Sequence, residues 1–334
     1  MTVVSEGTGA GRTARRTAPA GRRTAFTGRG ARAASRARGH GPRGRRRRQT
    51  VIAWSFALPF VVLFATFTLI PLVSSFAMSF SDFTSADTQH PLAVDFIGFD
   101  QYTKLFRSAQ FLHALRNTGY FVVVGIPVTM GVALVLAVAL NSGITRFRVA
   151  FRVGFYTPVV TSVVAVAVVW RFLLQPDGPV NAVLGLLGVS GPDWLNSTTW
   201  AMPAMIAMGV WRNMGTLMVI FLAGLQTIPA EVTEAALIDG AGPVRRFTRI
   251  TVPLMRPTLL FGAVLLSVWY LQFFEEPFVM TQGGPLDATL SVGYFAFKQF
   301  GFGNYAYASA ASYVLFVAIA LLSSVMFRAL RARD

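Results

Sequence analysis

The stretch from Glu234 to Pro257 reads EAALIDGAGPVRRFTRITVPLMRP and lies between two long apolar runs, roughly residues 200 to 224 and 257 to 280. A segment this polar belongs outside the lipid, because irregular backbone finds no hydrogen-bond partners in a hydrocarbon core. Ile228 to Asp239 reads as a helix opened by Pro229, with Glu231 and Glu234 placed early, where the helix dipole favours negative charge. Gly240 and Gly242-Pro243 stop it. Ala235 and Ala236 give one flank almost no side-chain bulk, so another protein is expected to approach the backbone closely there.

Outward from this loop, the chain is too apolar for a soluble protein. Of 334 residues, 54% are hydrophobic and the mean hydropathy is +0.54. Six runs approach the roughly 20 apolar residues that a membrane-spanning helix needs. They lie at about 51 to 78, 118 to 140, 153 to 174, 200 to 224, 257 to 280 and 307 to 327. The expectation is an all-α membrane protein with six transmembrane helices. The first carries Pro59 and Pro71; the second is expected to start at Asn117, whose side chain can cap free amides; the third runs unbroken through Pro158 to Trp170-Arg171-Phe172. The short segment Asn141 to Arg152 permits only an antiparallel pair between the second and third.

The formal charge of +16 suggests nucleic acid until it is located along the chain. Residues 1 to 48 hold fourteen arginines and one acid, Glu6, with almost nothing apolar to bury. That tail is expected to be a disordered cytoplasmic segment lying near anionic lipid, and no nucleic-acid partner is expected. Residues 49 to 334 then form the membrane domain, with its inner loop at about 225 to 256. With the N-terminus inside, the cytoplasmic segments also collect Arg146, Arg148, Arg152, Arg245, Arg246, Arg249, Arg256, Arg328, Arg331 and Arg333. Lys104, Arg107, Arg116, Arg171 and Lys298 fall outside, alongside Asp82, Asp87, Asp95, Asp100, Asp177, Asp193 and Asp287. This bias places both chain ends and the Glu234 loop in the cytoplasm.

The chain has no cysteine, which removes disulfides and thiolate chemistry, and His40, His90 and His113 have no ligand spacing, so no metal site is expected. Neither lysine, Lys104 or Lys298, follows a glycine, so the Gly-Lys-Ser/Thr step of a phosphate-binding loop is missing. The chain is therefore not expected to be an enzyme, and ATP-driven transport would need a separate ATPase subunit.

Glu234-Ala235-Ala236, then Gly240, Ile250 and Val252-Pro253, is the spacing of the cytoplasmic loop in permease subunits of binding-protein-dependent ABC importers. The chain resembles that family over about residues 51 to 330, and in particular the larger-subunit, maltose/glycerol-phosphate type of carbohydrate permease. Val252 stands where leucine is usual. The resemblance implies the type I importer permease architecture in a bacterial inner membrane, and a path for a sugar released by an extracytoplasmic solute-binding protein. It also implies a second permease subunit as heterodimer partner and two ATP-binding subunits. This chain itself would hold no cofactor; ATP and magnesium would sit on the partner ATPase. Glu234, Ala235, Ala236, Asp239 and Gly240 would dock into that ATPase, with Phe247, Ile250 and Pro253 clamping the return of the loop against the core. The turn Thr281-Gln282-Gly283-Gly284-Pro285 with Thr289 resembles the carbohydrate branch.

Two places are candidates for the solute path. Arg212 falls near the middle of the fourth span, where a charge costs about 2.5 to 3.5 kcal/mol on insertion scales, so it is expected to face either an internal partner or a water-filled path. Asn213 and Gly215 beside it would offer an amide and close backbone approach. In the outer half of the fifth span, Trp269, Phe273, Phe274, Glu275 and Glu276 combine rings that suit the CH faces of sugars with carboxyls that suit their hydroxyls. An interfacial aromatic belt would use the same rings. By resemblance Glu275 matches a usual acid, whereas Glu276 replaces an aliphatic residue. The rival function, an ion-coupled secondary transporter of small solutes, would need ionisable groups deep in several spans, and only Arg212 is clearly central.

Overall fold

The computed structural model describes residues 42–89, 94–142 and 147–331. The tail to residue 41, with His40, and also His90, Arg146 and Arg333 lie outside the described residues. The chain divides into two units, Met1–Val62 and Leu63–Asp334. In the first, α1 (Pro42–Phe64) is already helical within the arginine run, so the helix starts earlier than the apolar run alone suggests. Phe56 on this helix is 82% exposed.

The second unit continues with a π-helical turn, Ala65–Leu69, and α2 (Ile70–Met78). The wide turn directly precedes Pro71, whose ring would otherwise meet the carbonyl four residues back. A short helix, α3 (Asp100–Arg107), leads into α4 (Ala109–Ser142), which at 34 residues is about 51 Å long. Asn117 is therefore not an N-cap. It lies inside α4, buried, and its Nδ2 donates to the carbonyls of Asp287 (2.7 Å) and Leu290 (3.1 Å). The apolar count marked only the lipid-crossing part of a longer helix.

The third expected span is two helices. α5 (Arg148–Val160) and α6 (Val163–Leu173) meet at an elbow of 100°. Pro158 removes one ladder donor, and Thr161 Oγ1 donates to the Thr157 carbonyl (3.0 Å), the acceptor its own amide would use in a continuing helix. The Thr161 amide turns to Pro158 O instead, and Thr161 and Ser162 become extended. After α7 (Pro179–Leu186) comes α8 (Ala201–Gln226), the most buried of the spans.

The loop holds α9 (Ala230–Ile238), α10 (Pro243–Arg246), a π-helical turn at Phe247–Thr251 and α11 (Val252–Leu254). This second π turn also stands just before a proline, Pro253. The fifth span is broken as well, into α12 (Arg256–Leu271) and α13 (Glu275–Met280). The cause is Pro277: a helix running through it would set its ring against the Phe273 carbonyl, and the backbone leaves the helix at residues 272–274. α14 (Val292–Gly301) and α15 (Tyr305–Arg331) complete the chain.

Among the described residues, length and composition allow five unbroken or gently broken spans, and six with the bent α5–α6 pair counted as one. α4 packs along α8, α12 against α4 and α15, α5 against α8, and α13 against α6. Phe121, Met205, Met208, Phe221 and Leu266 fill the centre, and Phe121 stacks on Phe273 at 4.1 Å. A smaller cluster of Leu105, Phe111, Leu290, Phe295 and Ala310 joins α3 and α14 to the N-terminal ends of α4 and α15. Lipid tails are as apolar as these side chains, so close fit rather than flight from water holds the spans together.

Candidate functional site and the α9 loop

Both helix breaks open onto one cavity of about 370 Å³. Val159 and Val163 border it from the α5–α6 elbow, and Gln272, Phe273, Glu275 and Glu276 from the α12–α13 break. Arg212, Asn213 and Thr216 of the unbroken α8 form a third wall, with Trp269 and Tyr270 from the end of α12. Interrupted backbone within a membrane is tolerated where it lines such a cavity. The volume falls in the range of small-ligand sites, about 300 to 1,000 Å³.

Several polar groups of this wall are fixed from behind. Asn213 is buried and donates to Gly209 O at 2.9 Å, one turn back in α8. The Tyr270 hydroxyl shares a 2.7 Å hydrogen bond with Thr129 Oγ1, which also donates to Gly125 O at 2.7 Å, tying α12 to α4. Three others are free. Arg212 Nε, Thr216 Oγ1 and Glu276 Oε2 are shielded atoms without a hydrogen-bond partner, and Glu276 is only 6% exposed. Such groups cost free energy while they lack a partner.

Of the expected path residues, Arg212, Asn213, Trp269, Phe273, Glu275 and Glu276 converge on the cavity. Gly215 does not. A Cβ there would collide with the Phe155 carbonyl and lie 3.1 Å from Tyr156 Cα, so its close approach is to α5 and not to a solute. Phe274 points elsewhere too, into a ring cluster with Phe278, Tyr294 and Phe297. Thr216, Val159 and Val163 were not expected. Thr216 was findable, since it stands four residues from Arg212 and hence on the same helix face. The two valines were not, because only the elbow brings them here.

In the loop, α9 ends in a Schellman arrangement: the Ala241 amide donates to Ala236 O (2.9 Å) and the Gly240 amide to Leu237 O (3.0 Å), with Gly240 at φ +70°. Glu234, Ala235 and Asp239 are exposed, whereas Ala236 is buried. The small-residue flank is thus only Ala235, and the exposed face is apolar at its end, with Ile238 88% exposed beside Leu237 and, across the turn, Val244. Phe247 and Ile250 are half-buried, and Pro253 is exposed. Met255, not singled out from sequence, is the side chain that enters the core at this corner.

The family described as "Binding-protein-dependent transport system inner membrane component" matches residues 29–334. The probable ABC transporter permease protein YesP of Bacillus subtilis (strain 168) is 33% identical over 84% of this chain and 91% of its own length. The lactose transport system permease protein LacF of Rhizobium radiobacter is 33% identical over 85% and 95%. The arabinooligosaccharides transport system permease protein AraP of Bacillus subtilis (strain 168) is 32% identical over 82% and 86%. A chain of a bacterial ABC transporter involved in import of the acidic polysaccharide alginate superposes with a TM-score of 0.74 at 24% identity, covering 87% of this chain and 98% of that one. With its broken spans around a polar cavity and its capped loop helix, the chain belongs to the family of inner membrane components of binding-protein-dependent transport systems.

Proposed function

We propose that this permease subunit forms half of the translocation path of an ATP-driven sugar importer, with the cavity beside Arg212 as the place where the solute pauses in the bilayer. The single observation that carries this is the cavity itself: two spans interrupt their helices around it, and its lining sets Arg212, Asn213, Gln272, Glu275 and Glu276 beside the rings of Trp269, Tyr270 and Phe273. The sugars named for two relatives, lactose and arabinooligosaccharides, support a sugar in particular.

Both chain ends and α9 lie in the cytoplasm in this reading, as the arginine distribution favours. A second permease subunit, two ATPase subunits that bind ATP and magnesium, and a solute-binding protein complete the importer. Glu234, Ala235, Asp239 and Gly240 present the α9 end to the ATPase groove, and Leu237, Ile238 and Val244 supply its apolar contact. ATP-driven closure pulls on α9, and the spans rock so that the cavity changes the side it faces.

The test is uptake of radiolabelled disaccharide by the reconstituted complex. Glu234→Lys reverses the charge at the exposed start of the motif. Gly240→Pro removes the amide that bonds Leu237 O and forbids φ +70°. Both variants should insert normally and lose ATP-dependent uptake. Normal uptake in either, or uptake without the ATPase subunits, overturns the coupling role.

A further inference from the structure

A groove of about 650 Å³ runs between α2, α3 and α15 and shares no residue with the Arg212 cavity. Phe76 of α2, Tyr102 and Phe106 of α3, and Tyr313, Phe316 and Val317 of α15 line it. Both tyrosines spend their hydroxyls on α2. Tyr102 Oη shares a 2.8 Å hydrogen bond with Ser79 Oγ, and Tyr313 Oη donates to Leu72 O at 2.6 Å and lies 3.0 Å from Ser75 Oγ. These bonds stitch α3 and α15 to α2, so the groove is a fixed gap between tied walls. What its tyrosines leave for an occupant is ring surface.

α3 forms the rim. Gln101 and Leu105 on one side of it are buried, Phe99, Tyr102 and Phe106 line the groove, and Lys104 and Arg107 are exposed. That is the make-up of a helix lying in the membrane–water interface. Arg107 directly follows Phe106, and its long stem lets the guanidinium stay at headgroup level while the ring beside it meets the groove. The acid of α3, Asp100, stands at its other end, seven residues or about 10.5 Å from Arg107. An apolar slot with a cation at its mouth complements a lipid tail joined to a phosphate. A partner helix fits less well: with side chains it fills roughly 420 to 610 Å³ per turn, so little more than one turn would enter, whereas a flexible tail can follow a short slot. We propose that this groove is a binding site for an anionic phospholipid, with one acyl chain between α2 and α15 and the phosphate at Arg107. The inference needs only that the chain spans a membrane and is independent of the solute path and of the coupling role.

The experiment uses the complete importer in detergent and a phosphatidylglycerol that carries a diazirine on one acyl chain. After illumination, adducts are mapped residue by residue by mass spectrometry, with excess unlabelled phosphatidylglycerol or phosphatidylcholine as competitor. Val317→Trp fills the groove without touching the tyrosine hydrogen bonds, and Val73→Trp does the same from α2. Elution volume reports on assembly. The expected result is adducts on the groove residues of α2, α3 and α15 that fall at least fivefold with phosphatidylglycerol and not with phosphatidylcholine. Val317→Trp, or Val73→Trp should the former not assemble, should lower them at least fivefold. Arg107→Gln should keep the adducts and make the two competitors equal.

Groove adducts no stronger than those on Val168 of α6 and Phe261 of α12, which are exposed outside it, overturn the site, as does labelling that excess phosphatidylglycerol leaves unchanged. Wild-type labelling in an assembled tryptophan variant overturns it too; if neither variant assembles, the competition in the wild-type importer decides alone. Equal competition by phosphatidylcholine in the wild type overturns the anionic class, and a surviving preference in Arg107→Gln overturns the headgroup contact. Absence of groove adducts together with a crosslink from Val317→Cys to the second permease subunit overturns the lipid in favour of a protein occupant.

Discussion

At Gly215 the α8 backbone presses on the Phe155 carbonyl of α5, which leaves no room for a Cβ. Gly215→Ala must push two packed spans apart and should cost about 1 to 3 kcal/mol, read as a lower thermal unfolding midpoint in detergent. Gly131 is the contrast, with nothing within 4 Å of a Cβ placed there. Gly131→Ala should be neutral or gain up to about 1 kcal/mol from the loss of a helical glycine; equal shifts in the two variants would show that the α5–α8 contact is not tight. Tyr270→Phe removes the 2.7 Å bond to Thr129, but Thr129 keeps Gly125 O as acceptor. Its cost should stay near 1 kcal/mol by the same measurement. Sequence reading named Arg212 from the expense of a charge in lipid, Asn213 as the amide beside it and Glu276 as a carboxyl suited to sugar hydroxyls, and all three reach the cavity. It read Gly215 wrongly, since a glycine shows that something comes close without showing what.

At the scale of the element, helix ends and breaks decide the site. Pro277 stops α12 from running into α13, and α13 is what carries Glu276 to the cavity. Pro277→Ala relieves the clash with the Phe273 carbonyl and lets the ladder close. Uptake should fall severalfold while insertion and basal ATP hydrolysis stay normal; unchanged uptake would show that the break is held by packing alone. Gly240 ends α9 at φ +70°, a conformation that costs an ordinary L-residue roughly 1 to 2 kcal/mol. Asparagine tolerates it and a β-branched residue does not. Sugar-stimulated ATP hydrolysis should therefore survive in Gly240→Asn and collapse in Gly240→Val, and the reverse order would contradict the capping role. The sequence located the proline and the glycine, yet it read the spans at 153 to 174 and 257 to 280 as continuous, because hydropathy averages over a break of two or three residues.

For the whole molecule, the arginine count sets an orientation that labelling can check. The chain has no cysteine, so single cysteines can be added to the native sequence. Ser190→Cys, after α7, should react with a membrane-impermeant maleimide in intact cells. Val244→Cys, in the α9–α10 turn and 75% exposed, should react only after lysis. The opposite pattern would invert the topology and remove α9 from the ATPase side.

The sequence by itself determined that the chain crosses a membrane several times as helices, that an acidic helix ending at Gly240 stands outside the lipid, and which charged side chains the bilayer would not tolerate unassisted. These follow from local quantities: run length, charge bias, motif spacing and the stereochemistry of proline and glycine. Only the tertiary structure decided that Asn117 spans from α4 to Asp287 and Leu290, that Ala236 turns inward while Ile238 turns out, and that two broken spans close on Arg212, Thr216 and Glu276. Those pairings join residues far apart in the chain, and their partners are chosen by which helix faces fit together, which no single stretch of sequence specifies.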